Sequence, residues 1–232
     1  MITMLAVVLA GGKGLRMLPL TKDRPKAMVE LRGKPLLEWV LLELKKAGIR
    51  KVIIVVGYKK EKIIEYFDNS FAGLPITYVE QKRALGTAHA LLQAKNVAKD
   101  EKQFIVCHGD VIAKSVDIRR LIDAKGKAVV ALRLEKNAER FGVIEVKHNE
   151  IVSIVEKPKG IKEALVNAGL YKFDSSIFEL LSKLKKNRLR NEYELTDALK
   201  KLVEKNELRY VVMKQKVLDI GTIQDLENAQ QR

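Results

Sequence analysis

The chain has 232 residues, 47% of them apolar and 31% charged, so it carries enough apolar matter for a sizeable core, and intrinsic disorder is excluded. Its longest apolar runs, Leu5–Ala10 and Val52–Val56, fall far short of the ~20 residues that cross a bilayer, and Cys107 alone supports neither a disulfide framework nor a Cys-based zinc site. Forty-four Lys and Arg against 29 Asp and Glu leave +15, spread along the whole length; with 6% aromatics and no RNA-binding signature, nucleic acid is the minority partner.

Leu5–Leu9 is an unbroken apolar run ending in Ala10-Gly11-Gly12, which reads as a buried strand entering a loop. Pro35 opens a helix through Ala47, with Leu36, Leu37, Val40, Leu41 and Leu44 on one face and Gly48 as its stop. Val52–Val56 is a second buried strand, a helix lies around Glu61–Phe67, and Ile76–Val79 is a third strand. Thr87–Val97 has helical periodicity, Phe104–Cys107 is a fourth strand, Ile118–Ala124 a helix and Ala128–Leu134 a fifth strand. Strands apolar on both faces, alternating with helices, predict an open α/β sheet covered on both sides, with ligands beyond the carboxyl ends of its strands.

After about residue 140 the rhythm changes. Phe141–Val146 and Ile151–Val155 alternate around His148-Asn149, a hairpin pattern, and Leu165–Phe173 is a further strand. Helices are predicted near Ile177–Leu184 and Glu194–Glu204, strand pieces at Tyr210–Met213 and Val217–Ile220, and a last helix at Ile223–Gln230. The basic run Lys183–Arg190 reads as a solvated face at a helix end. No linker or repeat separates the halves, so residues 1–232 are read as one domain.

The chemistry concentrates in Gly11-Gly12-Lys13-Gly14-Leu15-Arg16, directly after the first strand. Glycines there let backbone N–H groups approach phosphate oxygens, and Lys13 and Arg16 add charge. A dinucleotide-binding loop needs a third glycine where Met17 stands, and a Walker A loop needs a Gly-Lys-Ser/Thr that is absent. Asp110 follows a buried strand at the edge where ligands bind, and Asp219 follows a second short apolar run.

The run Leu9 to Leu37, with Arg24-Pro25-Lys26 and Gly33-Lys34-Pro35, resembles the signature of the sugar-phosphate nucleotidyltransferases. The resemblance recurs in order along nearly the whole chain. It includes Glu80-Gln81 with Leu85-Gly86-Thr87-Ala88, Gly109-Asp110, Phe141-Gly142-Val143 and Glu156-Lys157-Pro158. Asn167-Ala168-Gly169-Leu170-Tyr171, Glu194-Leu195-Thr196-Asp197 and Asp219-Ile220-Gly221-Thr222 complete it. Leu15 and Val217 depart from it, standing where many members carry a small hydroxyl residue and an aromatic.

The resemblance implies a Rossmann-like, doubly wound mixed sheet of the nucleotide-diphospho-sugar transferase (GT-A-like) type. It implies a nucleotide-binding part over about 1–110, a sugar-phosphate-binding part over about 111–215 and a closing segment over 216–232. The implied reaction is attack by a sugar 1-phosphate oxygen on the α-phosphorus of a nucleoside triphosphate, expelling pyrophosphate. The nucleophile is already an anion, so catalysis rests on alignment and charge neutralisation rather than on a general base. By resemblance Arg16, Lys26 and Lys157 are catalytic, and Leu9, Ala10, Gly11, Gly12, Gly14, Gln81, Gly86 and Thr87 bind the nucleotide. Gly142, Glu156, Lys157, Asn167 and Tyr171 take the sugar phosphate, and Asp110 and Asp219 hold Mg²⁺, a hard ion that keeps one or two carboxylates plus substrate phosphates.

A glutamine amide offers one donor and one acceptor, matching the O4/N3–H edge of uracil or thymine, although it also pairs with guanine. The expected substrates are glucose 1-phosphate with UTP or dTTP, the alternative being mannose 1-phosphate with GTP. A non-catalytic NDP-sugar-binding regulatory subunit is the reading from a different class. A cytoplasmic monomer or small homo-oligomer is expected, with no nucleic-acid or membrane partner.

Overall fold

A computed structural model of the chain describes residues 4–156, 158–187 and 191–231. Strand β1 (Met4–Leu9) runs into the glycine loop, after which a small hairpin of β2 (Glu30–Leu31) and β3 (Lys34–Pro35) delivers the chain to α1 (Leu36–Lys46). Then come β4 (Ile49–Val56), α2 (Lys60–Phe67), β5 (Ser70–Phe71), β6 (Leu74–Glu80), α3 (Thr87–Gln93), α4 (Lys95–Ala98) and β7 (Phe104–His108). The second half holds β8 (Val111–Ile112), α5 (Ser115–Asp123), β9 (Ala128–Glu135), β10 (Gly142–Lys147), β11 (Glu150–Glu156) and β12 (Ala164–Phe173). Helices α6 (Ile177–Ser182) and α7 (Leu195–Glu204), strands β13 (Leu208–Val212) and β14 (Leu218–Asp219), and α8 (Ile223–Gln230) follow.

Strands β6, β4, β1 and β7 pair in parallel in that order. Because side chains alternate along a strand, β1 feeds two cores. Ala6 and Val8 pack on one face with Leu37, Leu41 and Leu44 of α1. Leu5 and Val7 pack on the other with Leu91 of α3, Phe178 of α6 and Leu199 of α7. Each such buried Leu or Val contributes roughly 2 kcal/mol, which is why β1 reads as an unbroken apolar run instead of an alternating one.

The sheet is mixed because β12 lies antiparallel between β7 and β9. One end of β12 pairs with β7 through Leu170–Phe173, and the other touches β10 through Val166. The register slips between Asn167 and Tyr171, around Gly169 at φ 74°. Asn167 holds that bulge: its Oδ1 accepts from Gly169 N–H at 2.9 Å and its Nδ2 donates to the Tyr171 hydroxyl at 2.8 Å. Before the bulge β12 also pairs with the β10–β11 hairpin, whose two-residue turn has His148 and Asn149 both at positive φ.

Several boundaries differ from expectation: α5 starts at Ser115 instead of Ile118, β13 spans Leu208–Val212 instead of Tyr210–Met213, and α6 ends at Ser182 instead of Leu184. The Thr87–Val97 helix divides at Ala94, whose N–H bonds back three residues to Leu91 O, interrupting the i to i−4 ladder. Elsewhere buried polar groups tie elements together. Glu43 of α1 accepts from the first-turn N–H of Ser115 at 2.7 Å, and Lys172 donates to Ile122 O and Ala124 O at the other end of α5.

Candidate active site

The carboxyl ends of β1 and β7 lie side by side, Leu9 opposite His108, so the loops leaving them share one edge. The loop after Leu9 is held by its own backbone. Gly14 O accepts from Met17 N–H at 2.8 Å and from the Thr21 hydroxyl at 2.9 Å. Gly14 sits at φ 68°, and a Cβ there would fall 2.8 Å from the Lys26 Cβ, so glycine is what lets the loop close against the Lys26 segment. Among the described residues no backbone hydrogen bond uses the N–H groups of Gly11 to Gly14, which leaves a nest of donors for an anion.

A cleft of about 480 Å³ opens over this loop. Leu9, Ala10, Gly11, Gly12, Gly14, Gln81, Gly86 and Thr87 all line it. Gly86, at φ 101°, lies directly under Tyr193: a Cβ there would meet Tyr193 O at 2.5 Å. Tyr193 N–H donates to Leu85 O at 2.8 Å and Ala88 N–H to Tyr193 O at 2.9 Å. The Thr87 hydroxyl accepts from Leu195 N–H at 2.9 Å and so serves the first turn of α7.

Gln81 corrects the expected base-reading geometry. Its Nε2 donates to Gly86 O at 3.1 Å and lies 2.9 Å from His89 Nδ1. Gly86 O takes one amide hydrogen, and with His89 Nδ1 as acceptor the other is taken too, which leaves only Oε1 as a reader.

A second compartment of about 340 Å³ adjoins the first, lined by Gly142, Glu156, Asn167 and Tyr171 together with Asp110 and Asp219. Gly142 stands opposite Glu156 across the hairpin, and a Cβ at Gly142 would come within 3.0 Å of the Glu156 carboxylate. Tyr171 is buried, which raises its pKa, so it is a neutral phenol held by Asn167. Asn167 thus commits its acceptor and one donor to the bulge, and its amide is less free for a sugar than expected. Lys157 lies outside the described residues.

Arg16, Lys26, Thr87, His108, Asp110 and Glu192 line both compartments, which therefore meet at the Lys26–Asp110 ion pair. Burial pushes the Asp110 carboxyl up, but the Lys26 ammonium beside it prevails and holds it below the usual carboxylate range. Asp219 reaches the same place from far along the chain. Strand β14 pairs antiparallel with β8, Asp219 opposite Val111, and Ile220 N–H donates to Asp110 O at 3.2 Å. Arg133 Nη2 donates to Asp219 Oδ2 at 3.2 Å. Lys26 thus pairs with Asp110, and Arg133 is shared between Asp219 and Glu135.

Among the described residues no group of three or more His, Cys, Asp or Glu stands ready as a metal cage. Two hard carboxylates, Asp110 in the turn between β7 and β8 and Asp219 on β14, line one compartment and suit an ion that completes its shell with phosphate oxygens and water. The donor set fits Mg²⁺.

Three contributors were not singled out in the sequence. Arg133 is 6% exposed, stacks over the Phe141 ring at 4.6 Å and holds Asp219; its signal was a lone charge inside the apolar run Ala128–Leu134. Asp225 accepts from Gly221 N–H at 3.1 Å and from the Thr222 hydroxyl at 2.7 Å, a capping arrangement readable in Thr222-Ile223-Gln224-Asp225. His89 gave no signal that distinguishes it from an ordinary helical histidine.

Known proteins share this sequence pattern and fold. A family model described as "Nucleotidyl transferase" matches residues 5–232. The chain is 42% identical over 229 residues to a "Bifunctional protein GlmU" of Methanococcus maripaludis strain C5, covering 97% of this chain but 53% of that protein. It therefore spans about half the length of that relative. It is 37% identical over 237 residues to the "UTP--glucose-1-phosphate uridylyltransferase AglF" of Haloferax volcanii, covering 99% of this chain and 96% of the relative. Among solved structures, a UDP-glucose pyrophosphorylase complexed with UDP-glucose superposes with a TM-score of 0.86 at 26% identity, covering 99% of this chain and 97% of the other.

Proposed function

Because the chain belongs to the nucleotidyl transferase family, the sugar-phosphate nucleotidyltransferases that its motifs resemble, we propose that it joins a nucleoside triphosphate to a sugar 1-phosphate. The products are an NDP-sugar and pyrophosphate, and the substrate pair is glucose 1-phosphate with UTP or dTTP. The observation that carries this reading is the continuity of the two compartments at Lys26 and Asp110. The near full-length relative named as a UTP--glucose-1-phosphate uridylyltransferase supports the choice of pair.

In this reading the triphosphate lies along the glycine loop, with backbone N–H groups of Gly11 to Gly14 on its oxygens and Arg16 and Lys26 over its charge. Gln81, Gly86 and Thr87 border the base. Gly142, Glu156, Asn167 and Tyr171 shape the sugar pocket, and Lys157 takes the sugar's phosphate. A sugar-phosphate oxygen attacks the α-phosphorus, the bond to the β-phosphate bridging oxygen breaks, and pyrophosphate leaves with that electron pair. No proton moves in the step, so no side chain acts as a base.

Asp110 and Asp219 are the carboxylates that would hold Mg²⁺, which when bound supplies charge neutralisation between the two anionic substrates. The parts of the chain divide accordingly, with the nucleotide on about 1–110, the sugar phosphate on about 111–215 and the second carboxylate in 216–232. Since Gln81 Oε1 also suits guanine, mannose 1-phosphate with GTP remains the second reading.

A pyrophosphate-release screen of UTP, dTTP, GTP, CTP and ATP against a panel of sugar 1-phosphates, with and without EDTA, tests the proposal. Mg²⁺-dependent release with UTP or dTTP and glucose 1-phosphate is expected. Release only with GTP and mannose 1-phosphate would favour the second reading. Tight NDP-sugar binding with no release from any pair would make the chain a regulatory subunit.

A further inference from the structure

We infer that His89 is a positioning residue that fixes the Gln81 amide so that only its Oε1 faces the nucleobase, which selects bases carrying a ring N–H. This rests on the reading of the larger compartment as the nucleotide site. A carbonyl oxygen can only accept, so the amide atom 3.1 Å from Gly86 O is the nitrogen. The same nitrogen lies 2.9 Å from His89 Nδ1, and its second hydrogen goes there. Oε1 is left over Gly11, where an added Cβ would sit 3.2 Å from it.

This requires a neutral imidazole that accepts at Nδ1. Its other ring nitrogen lies 3.3 Å from the Gln93 amide nitrogen, which itself donates to His89 O at 3.0 Å. Both ring nitrogens thus face NH₂ groups, which offer nothing to an imidazolium. A neutral ring accepts at only one nitrogen, and the shorter contact makes that Nδ1, with the proton on Nε2 and the Gln93 amide committed to His89 O. Burial and the Arg83 charge push the His89 pKa down, keeping the ring neutral. The ring also stacks on Tyr193, with centroids 6.3 Å apart, and Tyr193 is bonded to Leu85 and Ala88 on either side of Gly86. The lock and the Gly86 carbonyl therefore belong to one frame.

A fixed acceptor in the wall discriminates by chemistry. The N3–H of uracil or thymine and the N1–H of guanine satisfy it. The N3 lone pair of cytosine and the N1 lone pair of adenine oppose it, and a buried acceptor facing a lone pair loses its bond outright. His89 touches no substrate in this account. It acts by denying Gln81 the flipped amide that would accommodate the wrong bases.

The test is calorimetric binding of the Mg²⁺ complexes of UTP, dTTP, GTP, CTP and ATP to the wild type, His89→Leu and His89→Asn, with ¹⁵N NMR of the histidine tautomers. The wild type should bind at least one N–H base roughly tenfold or more tighter than CTP and ATP. His89→Leu should lose about tenfold of that discrimination, whereas His89→Asn, whose Oδ1 accepts near the place of Nδ1, should keep most of it. NMR should show His89 neutral with its proton on Nε2.

Discrimination unchanged in a folded His89→Leu, or a His89 carrying its proton on Nδ1, would overturn the inference. If His89→Leu fails to fold, a His89→Asn variant that loses discrimination overturns it, and one that keeps it together with the Nε2–H tautomer supports it. Selective binding without pyrophosphate release from any sugar phosphate would contradict the transferase reading and leave the lock standing. No nucleotide binding at all would contradict both.

Discussion

Lys26 and Asp110 neutralise each other where the two compartments join, so either change there is felt by both substrates. Asp110→Asn and Asp219→Asn should each lower turnover by about a hundredfold or more while the thermal midpoint stays near wild type, since each asparagine keeps the shape and an acceptor. Steady-state pyrophosphate release beside a melt checks this, and Mg²⁺-dependent turnover unchanged in either variant would remove that residue from the metal site. Lys157→Ala should raise KM for the sugar phosphate and leave KM for the nucleotide nearly unchanged; the opposite split contradicts its assignment. Gly86→Ala belongs to the same scale for a steric reason. With φ at 101° and Tyr193 O 2.5 Å from the new Cβ, it should cost at least about 2 kcal/mol and weaken nucleotide binding, readable by denaturant melts and calorimetry.

At the scale of elements, helix ends fix the carboxylates. Thr222 accepts from Asp225 N–H at 3.2 Å and caps α8, and Asp225 in turn holds Gly221, two residues beyond Asp219. Thr222→Ala should cost about 1 kcal/mol in a denaturant melt. Helix α5, which follows β8, is anchored by Glu43. Burial raises the Glu43 pKa, but Ser115 N–H and the Lys46 ammonium together bring it below 4.5. A carboxylate favoured as an anion in the fold stabilises above its unfolded pKa and loses that contribution as pH falls through the lower folded value. Glu43→Gln should therefore lie about 1 kcal/mol below wild type at pH 7, and the gap should close as the pH drops below about 4.5. A gap that widens with acid would contradict this.

At the scale of the molecule, what was legible in the sequence followed from chain proximity. Leu9 to Gly14 form one strand end and one loop, so their shared wall could be read from Leu5–Leu9 and the glycines alone. The hairpin at His148-Asn149 and the Gly48 helix stop are likewise local, and the structure has both. What was not legible depends on distant segments. Neither the seat of Gly86 under Tyr193 nor the insertion of β12 between β7 and β9 has a local signature, because backbone packing and strand order leave no periodicity. In sequence Gln81 offers both a donor and an acceptor, because its partners, Gly86 O and His89, become neighbours only once the loop is folded. Asp110 and Asp219 lie far apart in sequence, and only the β8–β14 ladder brings them to one compartment. That convergence is the central claim, and electron paramagnetic resonance of Mn²⁺ titrated into the protein with a non-hydrolysable nucleoside triphosphate tests it most directly. The account predicts a tight Mn²⁺ site in the wild type that Asp110→Asn and Asp219→Asn each weaken at least about tenfold; wild-type Mn²⁺ affinity in either variant would contradict it.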